Sequence, residues 1–149
     1  MFIKEADIKD MMDIYKWKND PLSLKMSKNK SKISINEHKN WFKNIVIDHN
    51  SKIYIGVTEN NKIGVTRFEL NKYKNEANTS INLNPLMRGR NLSFDLLSKS
   101  MCLYLKKKKI RLVSSIKKEN IASLKIFLKC GFIINNQDKI FHYLRYNKK

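Results

Sequence analysis

Apolar residues recur along this chain in two rhythms, and each change of rhythm marks an element. Ile3 opens a short first strand, after which Ile8, Met11, Met12 and Tyr15 return at helical spacing behind Asp7, a residue placed to cap their helix. Asn19-Asp20-Pro21 ends it. From Leu22 to Lys32 the pattern is irregular and rich in lysine and serine, which predicts a mobile segment or a short helix over a cleft. Ser34-Ile35-Asn36-Glu37 has capping-box spacing and predicts a helix from Ile35 to about Asp48. Its core face would carry Ile35, Trp41 or Phe42, Ile45 and Val46, with His38 one turn in, near Trp41.

The rhythm then shortens. Lys52 to Thr58 and Lys62 to Leu70 alternate as two strands of a hairpin around Glu59-Asn60-Asn61, which places Arg67 and Glu69 on the face opposite Phe68. Asn78 to Leu83 is a third strand, stopped by Pro85. Leu92, Leu96, Leu97, Met101, Leu103 and Leu105 give Gly89 to Lys107 one apolar helical face, and Ile110 to Ile116 is a strand again. A helix between two strands is a crossover, so those strands should be parallel. Asn120 to Lys129 is a helix with Ile121, Leu124, Ile126, Phe127 and Leu128 inward, ended by Gly131 as a left-handed cap. Phe132 to Asn135 and Ile140 to Tyr146 close the chain as strands around Gln137-Asp138. The expectation is one mixed α/β domain, residues 1–149, without repeats or linkers.

Composition narrows the classes. A chain of 149 residues with 42% apolar content can bury roughly two-thirds of its unfolded surface. No run is long enough for a membrane span and the start lacks an apolar signal core, so the cytoplasm is the default compartment. Cys102 and Cys130 have no paired-motif spacing and no nearby histidines, which implies reduced, semi-buried thiols and no metal. The net charge of +18 suggests an anionic partner, yet the lysines are spread over the whole chain. The one dense run, Lys106 to Lys109, falls where a helix ends and cations meet its dipole. Without an aromatic-interleaved basic platform, a specific nucleic-acid module is the weaker reading. The oligomeric state is not legible, and a homodimer is compatible with everything above.

The chemistry concentrates between Asn82 and Lys129. A strand runs into Asn84-Pro85-Leu86-Met87-Arg88-Gly89-Arg90-Asn91-Leu92-Ser93 and then into a helix, which aims unpaired backbone N–H groups and the positive end of a dipole at one point. That point suits a phosphate. Downstream stands Asn120-x-x-Ser123-x-x-Ile126-Phe127-x-Lys129-x-Gly131-Phe132.

The element order and these two motifs resemble the GCN5-related N-acetyltransferase (GNAT) superfamily over essentially the whole chain. The resemblance implies the acyl-CoA N-acyltransferase fold, with about seven strands and about four helices in an α+β mixed sheet. In that family a turn of the form Arg/Gln-x-x-Gly-x-Gly/Ala holds the pyrophosphate of acetyl-CoA. Arg88, Gly89, Arg90, Asn91, Leu92 and Ser93 occupy that frame, with Asn91 and Ser93 at the small-residue positions. Asparagine tolerates positive φ and Ser93 brings a hydroxyl donor, so both departures are workable. The resemblance implies that Asn120, Ser123 and Phe127 line the pantetheine arm, and that Ile81, Asn82 and Leu83 offer it backbone from a splayed strand. Many members carry a tyrosine at the position of Phe127 to protonate the departing thiolate; phenylalanine cannot. Tyr143, Tyr146 and Cys130 are the remaining groups, unless a thiol with a pKa of about 8.5 leaves unaided.

The N-terminal third narrows this further. Trp17-Lys18-Asn19-Asp20, Glu37-His38-Lys39-Asn40-Trp41-Phe42 and Gly64-Val65-Thr66-Arg67-Phe68 look like the branch acting on nucleotide-linked amino sugars, including the UDP-4-amino-sugar N-acetyltransferase of pseudaminic acid biosynthesis. This implies acetyl-CoA as co-substrate and a small-molecule amine as acceptor. Trp17, Asn19, Asp20, His38, Trp41 and Arg67 are its expected contacts. Glu69, Glu37 and His38 are candidate bases, with Tyr143 as a candidate acid. A peptide amine is the alternative acceptor.

Overall fold

The hairpin of β2 (Lys52–Thr58) and β3 (Asn61–Asn71) sits inside a seven-stranded sheet in the computed structural model, which describes residues 1–148. On one side β1 (Phe2–Glu5) pairs antiparallel with β2; on the other, β4 (Glu76–Leu83) pairs antiparallel with β3. Then come β5 (Arg111–Lys117), β7 (Phe141–Tyr146) and β6 (Ile133–Gln137), in the order β1-β2-β3-β4-β5-β7-β6. The crossover is parallel, as the sequence requires, but β4 and β5 pair only through Glu76–Arg111, Ala77–Leu112 and Asn78–Val113. Beyond Asn78 the two strands part.

Pairing register assigns the faces. Tyr54, Phe68, Ala77, Leu112, Ile116 and Leu144 point to one side, where α4 (Ser93–Leu105) and α5 (Ile121–Lys129) cover them with Leu97, Met101, Tyr104 and Phe127. Phe68 and Tyr104 stack there with ring centroids 4.5 Å apart. On the other side α1 (Met11–Lys18) and α3 (Ile35–Ile47) cover Ile53, Ile55 and Val65 with Met11, Ile14, Trp17, Phe42 and Ile45. Burying each such side chain contributes about 1.5–3 kcal/mol. The lattice of cations is also used structurally: Asp10 is buried, and Lys4 and Lys62 reach it from β1 and β3. Burial opposes its charge, but the two lysines outweigh that and hold its pKa below the usual carboxylate value.

Several expectations move. A 3-10 turn at Ile8–Asp10, capped by Asp7, precedes α1, and Ile8 and Met12 face solvent while Ile14 and Trp17 face the core. The irregular segment holds a fifth helix, α2 (Pro21–Met26), capped by Asp20 and started by Pro21. In α3, Val46 is exposed and His38 takes the core position instead. Helix α4 starts at Ser93 because Gly89 and Asn91 both have positive φ, which no helix continues. Leu103, Ile121 and Leu128 prove exposed, since single-face spacing tolerates apolar residues at its margins. Cys102 is exposed and Cys130 half-buried, and burial pushes the Cys130 thiol up to about 11, far from a working acid.

Candidate active site

Where β4 and β5 part, their free edges open onto the turn that starts α4. Asn84 accepts from the Leu86 N–H and begins a 3-10 turn at Pro85–Met87; Gly89 at φ 73° and Asn91 at φ 57° then bend the chain back. Asn91 thus supplies the left-handed geometry that the family pattern assigns to glycine. No side chain caps α4, so the N–H groups of its first turn are left without an internal partner at the end of the turn that follows β4. Leu92 is the helical residue before Ser93, and both are half-buried beside exposed Arg90. Dipole and donor geometry suit this point to an anion. Asn120 opens α5 on the opposite wall; its Oδ1 accepts from the Ser123 N–H at 3.2 Å, which leaves its amide hydrogens for a ligand. Ile81 packs toward α4, while Asn82 points to the other face, where its Oδ1 accepts from Ser23 Oγ at 2.9 Å. Leu83 lies opposite Gly64 in the β3–β4 ladder.

The face on the α1–α3 side carries the acceptor candidates, and register places Arg67, Glu69, Asn78, Ser80 and Asn82 together there. Arg67 Nε lies 2.7 Å from Glu69 Oε1. The Arg67 guanidinium and the Lys18 ammonium each stand 5.3 Å from the Trp41 ring centroid, and Trp41 remains half-buried. Burial first, and then the Arg67 charge, push the Lys18 pKa below its usual value, with Glu69 offsetting part of this.

Other expected contacts are already engaged within the protein. Trp17 is 6% exposed in the α1–α3 core, so its ring has no face for a ligand. Asn19 spends both ends of its amide on Ile33, accepting from its N–H at 2.9 Å and donating to its carbonyl at 3.0 Å. Glu37 closes the capping box with Ser34. His38 is 1% exposed, wedged among Tyr15, Trp41 and Phe42, with Nε2 2.8 Å from the Met11 carbonyl. Burial holds its pKa below 6.5, with Lys18 adding to the effect. It is built as a neutral core donor rather than a base facing substrate. Asp20 pairs with Arg88 at 2.7 Å, and although burial opposes its charge, Arg88 keeps its pKa low. Phe127 is 1% exposed and packs edge-on against Phe132 at 4.9 Å, a core ring behind the cleft. Tyr143 shares the open face through its pairing with Ser115, and its hydroxyl donates to Asp138 at 2.6 Å, which raises its own pKa. Among the described residues no group of histidines, cysteines and carboxylates could hold a metal ion.

A family model described as an acetyltransferase (GNAT) domain matches residues 1–133. The chain belongs to this family. The GNAT domain superposes on a spermidine N-acetyltransferase from Vibrio cholerae, solved with CoA and spermine, at a TM-score of 0.84 and 14% identity, covering 98% of this chain and 94% of that one. It also superposes on yncA from Salmonella typhimurium, solved with acetyl-CoA, at 0.83 and 17%, covering 99% and 93%. At such identities these likenesses establish the fold. No curated protein matches the sequence.

Two residues of this GNAT site carried no signal in the sequence. Ser23 lay in a stretch without periodicity, and Lys117 looked like one lysine among many, yet its side chain is buried at the end of β5. The three-dimensional path of α2 brings Ser23 to Asn82 and the Lys25 carbonyl to Lys117.

Proposed function

We propose that this GNAT domain is an acetyl-CoA-dependent N-acetyltransferase whose acceptor is a primary amine on a small anionic molecule, a nucleotide-linked amino sugar. The observation that carries the reading is the parting of β4 and β5 at the uncapped start of α4, with Asn91 in left-handed conformation. The α4 N–H groups suit a pyrophosphate, with Arg90 alongside, and Asn120 suits an amide-bearing arm.

Acetyl-CoA, when bound, supplies a thioester carbonyl. The β4 peptide groups beyond Asn78, outside the ladder with β5, are placed to receive the carbonyl oxygen as it gains charge. Glu69, half-buried on the acceptor face, takes the proton of the attacking amine directly or through water. The thiolate leaves without a tyrosine at position 127, since a thiol of pKa about 8.5 is a competent leaving group.

Charge supports an anionic acceptor. Lys18 and Arg67 flank Trp41 with Glu69 as their carboxylate, on a chain of net charge +18, whereas a polyamine would meet repulsion. Nucleotide sugars and acetyl-CoA are cytoplasmic metabolites, and that is where we place the activity. Among the described residues no helix is long and apolar enough to cross a membrane. Thiol release from acetyl-CoA should be measured with UDP-linked amino sugars, spermidine and a peptide amine. Turnover confined to the sugar nucleotide is expected; turnover confined to spermidine or peptide overturns the acceptor assignment. Absence of any thermal shift with acetyl-CoA overturns the whole reading.

A further inference from the structure

The core that α1 and α3 cover ends at β3. Beyond it the same face of the sheet runs on as a row set by strand pairing: Glu69 on β3, Asn78 on β4, Val113 on β5 and Arg145 on β7. Ser80 and Ser115 lie one pleat further along β4 and β5, where those strands part. Val113 belongs to neither core and is half-buried, as are both serines, while Asn78 is exposed, so the row is an accessible floor.

Charge along this floor is unevenly settled. The carboxylates beside it are engaged: Glu69 with Arg67 at 2.7 Å, Glu76 with Arg111 at 2.9 Å, and Asp138 with the Tyr143 hydroxyl at 2.6 Å. Arg145 makes no ion pair among the described residues, and its Nε is shut off from water without an acceptor. A desolvated N–H of a permanent cation is held at a cost, which turning the guanidinium onto a bound anion relieves. Lys117, on the same face of β5, adds a second charge without a carboxylate, its Nζ donating to the Lys25 carbonyl at 2.7 Å.

We propose that Arg145 is a specificity-determining residue of the acceptor site, holding the diphosphate of a nucleotide-linked amino sugar over the floor between β4 and β7. This rests on the acceptor reading given above. Three strand spacings of about 4.8 Å separate the β3 and β7 backbones, and the strands part between them. An acceptor laid across the row puts its amine beside Glu69, close to where the thioester is expected, and its phosphates over Val113 and Ser115 toward Arg145. The guanidinium fork matches phosphate oxygens in a way that a lysine would not. Spermidine, cationic along its length, has no group that this residue could hold.

The test titrates UDP into the full chain saturated with CoA, which closes the donor site to it, with uridine as the arm that lacks phosphate. Wild type is expected to bind UDP about tenfold or more tightly than uridine, and Arg145→Gln to erase that preference while binding CoA as wild type does. Arg145→Lys should restore part of it, because the charge returns without the fork. With a UDP-linked amino sugar as acceptor, Arg145→Gln should raise KM about tenfold or more and keep kcat within about threefold. An unchanged preference for UDP in Arg145→Gln, or an equal loss of CoA affinity, overturns the proposal while the acceptor reading stands. So does a wild type that turns over the sugar nucleotide yet binds UDP no better than uridine. If wild type acetylates only spermidine or peptide, the acceptor reading falls and the proposal falls with it.

Discussion

Arg67 Nε and Glu69 Oε1 stand 2.7 Å apart, two residues along one face of β3, so the candidate base is held by the residue that also flanks Trp41. Replacing Glu69 by Gln keeps the volume and removes the proton acceptor. The turnover number is expected to fall by roughly 10²–10⁴ with acetyl-CoA affinity unchanged, read from steady-state kinetics and calorimetry. Retention of turnover within about twofold would remove Glu69 from the mechanism.

His38 yields a stability prediction. Its ring donates to the Met11 carbonyl inside an aromatic cluster, so His38→Ala is expected to cost about 2–4 kcal/mol in urea unfolding. The pH dependence has a definite sign. Burial holds the folded pKa below 6.5, so above that value both states are neutral and nothing is lost. As pH falls below 6.5 the unfolded chain takes a proton that the fold refuses, and stability drops. His38→Gln should flatten this part of the stability profile between pH 7 and 5.

Tyr143 and Asp138 form an exposed pair whose titration can be followed directly. The tyrosine hydroxyl is the leading cause that brings the Asp138 pKa down to about 2, helped by the Phe141 and Ile140 N–H groups. In Tyr143→Phe the Asp138 carboxyl should titrate closer to 3.8, measured by NMR. The contribution of this carboxylate to stability is present above 3.8 and is lost as pH falls toward 2. Turnover in the same variant should stay within about threefold of wild type, since the hydroxyl is committed to Asp138; a larger loss would make Tyr143 the acid.

Gly64 is where β3 lets β4 come close. A Cβ there would sit 2.6 Å from the Asn82 carbonyl oxygen and 2.9 Å from Leu83 Cα, both backbone atoms. Gly64→Ala is expected to cost about 1–3 kcal/mol and to weaken CoA binding by displacing the strand that lines the cleft. Thermal melts with and without CoA separate the two effects.

At Asn91, φ is 57°, so Asn91→Gly should leave the turn intact and stability equal or higher, while Asn91→Val should weaken CoA binding at least as much as it lowers the melting temperature. Calorimetry on both variants checks the contrast.

The strands from β2 to β4 in succession, the parallel crossover and the bend before α4 were legible because each depends on local signals: alternation, a stop at Pro85, and residues that accept positive φ. The left-handed Gly131, at φ 94°, was legible for the same reason. The acceptor side was less so. Trp17, Asn19 and His38 look like ligand contacts in the chain because polar and aromatic residues at a helix end serve binding and packing alike. Their actual partners, Ile33 and Met11, lie 14 and 27 residues away. Ser23 on α2 meets Asn82 of β4, and Lys117 of β5 meets the Lys25 carbonyl of α2, and no local pattern encodes that path.

The three-residue pairing of β4 with β5 gives the protein an edge strand in the middle of its sheet. Peripheral edges are guarded by charge or brevity, whereas this one is left open at the centre of the sheet. Under the proposed function, a ligand with amide groups along its length would complete the ladder there as a surrogate strand. Co-substrate supply would then add to folding stability: without its thioester the chain carries an open β-template at its centre, and resistance to aggregation should track the concentration of CoA in the surrounding solution.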